Sequence, residues 1–185
     1  IEIIQQLNKD KQSRRMNSVK VIQAKTLDDY GRNDIRQFVE GVSRDAGFGG
    51  DTPYHKGRVE QFFATLCHII DTRSAQELVD DTHLLFFNTF RQVKHVFQNH
   101  SRLSGDLFKI TPLQPNDLFD VYEIEFENVS FITVFYDAEQ AKFIRTEATT
   151  KTEYEKLFWK GLPVLVITQY PSAGNGVNLQ YFPNA

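Results

Sequence analysis

Apolar residues along this 185-residue chain follow two patterns, and the change from one to the other divides it. The first part is spaced for helices. Ile35, Phe38, Val39 and Val42 lie on one face of a helix that starts at Asn33 and is closed by Gly47. After a glycine-containing loop at 48–53, Val59, Phe62, Phe63, Leu66, Cys67, Ile69 and Ile70 make a broad stripe on a second helix. Ser74 and Glu77 then have capping-box spacing and open a short helix. Ahead of all this, residues 1–7 read as a helix end, and Val19, Val21 and Ile22 as a short strand.

The second part alternates short apolar runs with helical stripes. Residues 83–87 predict a strand ended by Asn88 and Thr89; Thr89 and Gln92 match a capping box, and Val93, Val96 and Phe97 give the next helix its buried face. Residues 107–111 predict a short strand turned by Pro112 and Pro115. Residues 117–128 fit both templates, because Tyr122, Ile124 and Phe126 alternate with glutamates while Leu118, Phe119, Val121, Tyr122 and Phe126 share a helical face. Asn116 as a cap and Asp117 in the first turn favour the helix. Residues 129–136 predict a buried strand. A polar connection at 142–148 leads to another capping box, Thr150 with Glu153, and to a helix bearing Tyr154, Leu157 and Phe158 that Gly161 stops.

The last patterned stretch, 162–180, organises the rest. Val164, Leu165, Val166 and Ile167 show no polar alternation, as expected of a central parallel strand covered on both faces. Thr168 sits at the carboxyl end, where open α/β sheets present groups to ligands. Gly174 and Gly176 allow positive φ and close backbone approach, and Asn178 offers both donors and acceptors, so the loop suits an anion or a ribose. An ordinary surface loop accommodates a glycine pair equally well. The order strand, helix, strand, helix, strand predicts an α/β domain with a doubly wound parallel sheet over 80–185. Residues 1–79 form a mostly helical lead-in, linker or insertion.

Composition sharpens this only in places. Hydrophobic residues at 41% and charged residues at 24% suit a globular domain, and no apolar run is long enough to span a membrane, so no membrane partner is expected. Sixteen phenylalanines make the core aromatic. The single Cys67 excludes an internal disulfide and a cysteine-based zinc site, and fits an intracellular, cytoplasmic setting. Within the helical stripe, Cys67 and His68 point to different sides, so a structural role outweighs a catalytic dyad. The net charge of −3 hides a basic opening stretch, with Lys9, Lys11, Arg14, Arg15, Lys20 and Lys25 against Glu2 and Asp10. Such a run can touch phosphates, but a solvated face is the commoner reading. The chain opens without Met and reads as a piece of something longer.

Two of these segments together resemble motifs of a known family. Leu84 through Val93, a strand ending in Asn88-Thr89 at a helix start, looks like motif IV of the carboxyl-terminal RecA-like domain of superfamily 2 helicases and related nucleic-acid-stimulated ATPases. Val164 through Thr168, followed by Gly176-Val177-Asn178-Leu179, looks like motif V, and Tyr154, Leu157, Phe158 and Gly161 resemble the helix before it. The resemblance covers roughly residues 80–185 and implies a RecA-like, P-loop NTPase-like fold. It also implies that Asn88, Thr89 and Thr168 lie toward a DNA or RNA backbone, and that Gly174, Gly176 and Asn178 lie toward an ATP cleft shared with an N-terminal RecA-like domain of the same protein. Gln169 stands where many relatives have an acid, Tyr170-Pro171 extends the loop, and Asn175 stands where an Arg or another polar residue is common.

The sequence has no Walker loop, since the glycines at 49–50 are not followed by Lys-Ser or Lys-Thr. An acidic Mg²⁺ motif and the arginine-rich motif VI are missing as well. Phosphoryl transfer needs all three, so ATP and Mg²⁺ are expected as cofactors of a full-length helicase or translocase. This stretch alone is expected to be inactive, with no catalytic and no metal-binding residue of its own. Two other classes stay open: a non-catalytic helicase-like scaffold, and a nucleotide-sugar or dinucleotide-binding domain with a ribose in the 174–178 loop.

Overall fold

The computed structural model describes residues 25–50, 52–73, 81–99, 106–113, 120–138, 140 and 161–169. Helix α1 spans Asn33–Val42 and turns Ile35, Val39 and Val42 inward. A 3-10 turn over Ala46–Phe48 buries Phe48 and leads to α2, Pro53–Thr72. The start of α2 is locally encoded: the Thr52 hydroxyl accepts from the His55 N–H, and Pro53 occupies a position where no amide is needed. As the spacing predicts, α2 buries Val59, Phe62, Phe63, Leu66, Cys67 and Ile69. The third helix, α3, covers Arg91–Gln98 and buries Val93, Val96 and Phe97.

The strands are β1 (Thr82–Phe87), β2 (Lys109–Pro112), β3 (Asp120–Phe126), β4 (Val129–Tyr136) and β5 (Val164–Gln169). They form one five-stranded sheet in the order β1-β5-β4-β3-β2. The interior strand β5 runs parallel to both of its neighbours, β1 and β4, whereas β3 is antiparallel to β4 on one side and to β2 on the other. The protein is therefore α/β with a mixed sheet, which corrects the expectation of a wholly parallel one. The cause is local. Phe126 pairs with Val129 across a two-residue turn, and the turn residues Glu127 and Asn128 hold φ of 50° and 64°. Positive φ at both central positions matches the twist of a tight hairpin, which can only join antiparallel strands.

The same turn overrules the helix expected within 117–128. Residues 120–126 are a strand, with Tyr122, Ile124 and Phe126 on one face and Glu123 and Glu125 on the other. Pairing on both sides, with β4 and with β2, outweighs the cap-like Asn116 and Asp117, which lie outside the described residues. Pro112 ends β2, an edge strand, where a missing N–H costs little.

One continuous core joins helices and sheet. Side chains at positions 27–69 share it with Leu85, Phe87, Ile124, Phe126, Phe131, Phe135, Leu165 and Ile167. Phenylalanines dominate: Phe63 lies 5.0 Å from Phe108 and 5.7 Å from Phe126 between ring centres, and Phe97 lies 5.1 Å from Phe135. Val121, Ile132, Val134, Tyr136, Val164 and Val166 form a second cluster on the opposite face. Strand β5 is thus covered on both sides, as its unbroken apolar run predicts.

Arg32 fastens the helical layer to the hairpin. Its guanidinium pairs with Asp34 at 2.7 Å and with Glu127 in the turn, and lies 5.0 Å from the Phe126 ring centre. Lys94 on α3 pairs with Asp120 at the start of β3. The expected elements at 1–7, 19–22, 74–77 and 150–160 lie outside the described residues.

Candidate functional site

Parallel strands with matching directions place their carboxyl ends along one edge of a sheet. Here β1, β5 and β4 do so: Phe86 pairs with Thr168, Phe87 with Gln169, and Tyr136 with Thr168. The polar residues beyond those ends are consequently neighbours in space, though far apart in sequence. They are Asn88 and Thr89 after β1, Asp137 after β4, and Thr168 and Gln169 at the end of β5.

Asn88 is exposed and Thr89 half-buried. The Thr89 hydroxyl accepts from the Arg91 N–H at 3.4 Å, but the capping box expected with Gln92 does not form. Phe90 takes the cap position with no side-chain bond, and the buried Gln92 carboxamide oxygen instead accepts from Arg58 Nη1 on α2 at 3.2 Å. A cross-element bond has replaced a local one.

Thr168 is 2% exposed, and among the described residues its hydroxyl has no hydrogen-bond partner. Enclosing an unpartnered hydroxyl costs about 1–3 kcal/mol. A phosphate reaches that oxygen only if its cover shifts. Gln140 shows the same condition: it is 5% exposed, and its side-chain oxygen lacks a partner among the described residues. Its N–H donates to Asp137 Oδ1 at 3.0 Å. Asp137 and Gln140 have Asp-x-x-Gln capping spacing directly after β4, a signal in the sequence that the reading of the chain passed over.

Gly174, Gly176 and Asn178 lie outside the described residues, so the loop expected to face a nucleotide has no described geometry. Among the described residues, no three His, Cys, Asp or Glu side chains are grouped to hold a metal ion. None of the described helices is long and apolar enough to cross a membrane.

The remaining candidates are structural. Cys67 is buried, and burial pushes its thiol above the usual range, with Arg32 opposing the shift, so the reactive thiolate is disfavoured. His68 Nδ1 shares a hydrogen bond with Tyr30 Oη at 3.2 Å. At the amino end of β1, burial lowers the His83 pKa, with Asp81 partly offsetting it.

Sequence reasoning missed Arg58, Arg91 and Gln140. Arg58 lies on the lead-in helix, and its proximity to the β1–α3 turn exists only after folding. No protein-family model, curated protein or solved structure matches the chain.

Proposed function

We propose that the chain supplies the second, RecA-like motor domain of an ATP-dependent nucleic-acid helicase or translocase. One observation supports this above the others. The turn at Asn88-Thr89 and the strand end at Thr168, the two segments that resemble motifs IV and V, lie on adjacent parallel strands with Phe86 paired to Thr168. Side-chain amides, hydroxyls and the amides at the start of α3 suit a phosphate backbone.

On this reading Asn88, Thr89 and Thr168 contact DNA or RNA, and Gly174, Gly176 and Asn178 face a cleft completed by an N-terminal RecA-like domain. ATP with Mg²⁺ would supply the free energy for cleft closure in the complete protein. Buried Thr168 and Gln140, whose side-chain oxygens lack a partner among the described residues, fit a surface that rearranges on binding, because a ligand would satisfy them.

The test is fluorescence anisotropy with labelled single-stranded DNA and RNA across a salt series. The chain should bind with a negative salt dependence, and Thr168→Val should weaken binding. An affinity unchanged by that substitution would remove Thr168 from the contact. Nucleic-acid-stimulated ATP turnover by these 185 residues alone would overturn the assignment of catalysis to other segments.

A protein-binding platform is the second reading, favoured by one feature. Leu84 and Phe86, on the same face of β1, are 49% and 41% exposed. Failure to bind either nucleic acid at low salt would favour this reading.

A further inference from the structure

Tyr54 is the most exposed large apolar side chain among the described residues, at 80%, and it stands in the first turn of α2. Arg58 follows it at i+4, so the two side chains share one helix face. Arg58 is half-buried and donates to Gln92, and among the described residues it has no carboxylate partner. Gln92 in turn lies next to Arg91, which is exposed and likewise has no ion pair among the described residues. Folding therefore brings the helix face that carries Tyr54 and Arg58 against the start of α3, where Arg91 follows the Asn88-Thr89 turn.

We propose that the amino-terminal face of α2 extends the nucleic-acid surface, with Tyr54 as a stacking platform for a base of a single strand and Arg58 and Arg91 as phosphate contacts. The inference rests on the nucleic-acid reading of the carboxyl edge, and it adds a contribution from the lead-in that the motif resemblance does not cover. Single-stranded nucleic acid alternates flat, apolar bases with anionic phosphates, and an exposed ring with a guanidinium group on the same helix face matches both. An acidic protein segment would satisfy the arginines but leave the ring without a matched partner. Gln92 holds Arg58 against the turn, which keeps its charge close to the edge that carries Asn88.

The experiment is anisotropy with fluorescein-labelled oligo(dT) and oligo(U) on the full chain, repeated over a salt series. Tyr54→Ala should weaken binding roughly tenfold, and Tyr54→Phe should restore most of it, because stacking needs the ring and not the hydroxyl. Arg58→Ala and Arg91→Ala should each lower the slope of log affinity against log salt by about one. Lys109→Ala, on the far edge strand, should change neither quantity. Tyr54 is so exposed that its loss leaves the core intact, and circular dichroism of each variant checks this.

If Tyr54→Ala and Arg58→Ala leave affinity and slope unchanged while Thr168→Val weakens binding, this inference fails and the carboxyl-edge reading stands. The reverse pattern upholds the inference and removes the edge contact. Equal losses from Lys109→Ala and Arg58→Ala would mean diffuse attraction, which overturns the inference. Absence of binding by the unsubstituted chain at low salt overturns both.

Discussion

In the antiparallel half of the sheet, β2, β3 and β4 follow one another in sequence, and Tyr122, Ile124 and Phe126 turn inward against the helices. In the parallel half, β1, β5 and β4 meet only after long connections, and the buried hydroxyl of Thr168 at their carboxyl edge has no partner among the described residues. The first half is joined by a tight turn and sorted by ordinary alternation. The second half brings distant segments together and tolerates an unsatisfied group where they meet. An unsatisfied polar group at the edge where strand ends converge, unlike one enclosed in mid-strand, marks a place to look for a ligand.

The largest expected effect tests whether the halves depend on each other. Phe135 lies on β4, the strand they share; it is fully buried, pairs with Asp120 on one side and Ile167 on the other, and touches Phe90 and Phe97. Phe135→Ala should cost about 3–5 kcal/mol, read as a lower urea midpoint with an unchanged slope. A loss under about 1 kcal/mol would mean that the halves are not coupled through β4.

A smaller effect belongs to the antiparallel half alone. Asn128 holds a φ of 64°, which a β-branched side chain tolerates poorly. Asn128→Ile should lose about 1–2 kcal/mol, whereas Asn128→Gly should be close to neutral. Equal stability of the two variants would show that the turn does not set the register.

Two buried threonines give the sharpest contrast. Thr133 and Thr168 both have unpartnered hydroxyls among the described residues, the first on the helix-covered face in mid-strand and the second on the opposite face at the carboxyl edge. Replacing either by Val should raise stability by about 1 kcal/mol, since it removes a buried, unpaired polar group at nearly constant volume. Only Thr168→Val should weaken nucleic-acid binding. If both variants bind normally, Thr168 is a packing residue and the edge loses its main candidate.

Much of this contrast was legible in the sequence wherever local physics decides. The stripes of α1, α2 and α3 and the unbroken apolar run of β5 each announce a burial pattern that the fold follows. Where two templates competed, as at 117–128, the decision came from partners. Strand β3 is set by a turn whose conformation depends on two residues with positive φ, and by strands on either side of it. The Thr89/Gln92 pattern failed for a similar reason, because Arg58 from a distant helix claims Gln92. Asn88, Thr89 and Thr168 could be nominated from motif likeness, but their common edge emerges only from the pairing of β1 with β5. The burial of the Thr168 hydroxyl had no signal in the sequence.

The smallest effect separates the two ends of β1. His83, near its amino end, has a pKa lowered from 6.5 chiefly by burial; Asp81 Oδ2 at 3.9 Å opposes the shift, and Arg73, 3.7 Å from Asp81, adds to it. The unfolded chain therefore takes up this proton more readily than the folded one. The stability contributed by neutral His83 is complete above the unfolded value of 6.5 and drains away as pH falls below it toward the folded value. Urea midpoints measured from about pH 7.5 down to about pH 5.5 should fall more for the unsubstituted chain than for His83→Gln, which cannot titrate. The two proteins differ at this position alone, so the difference isolates it. Nucleic-acid affinity at the opposite end of the strand should be the same for both proteins at neutral pH. Parallel declines of the two midpoints would show that His83 meets solvent in both states, and that the amino end of β1 is not the closed counterpart of its carboxyl edge.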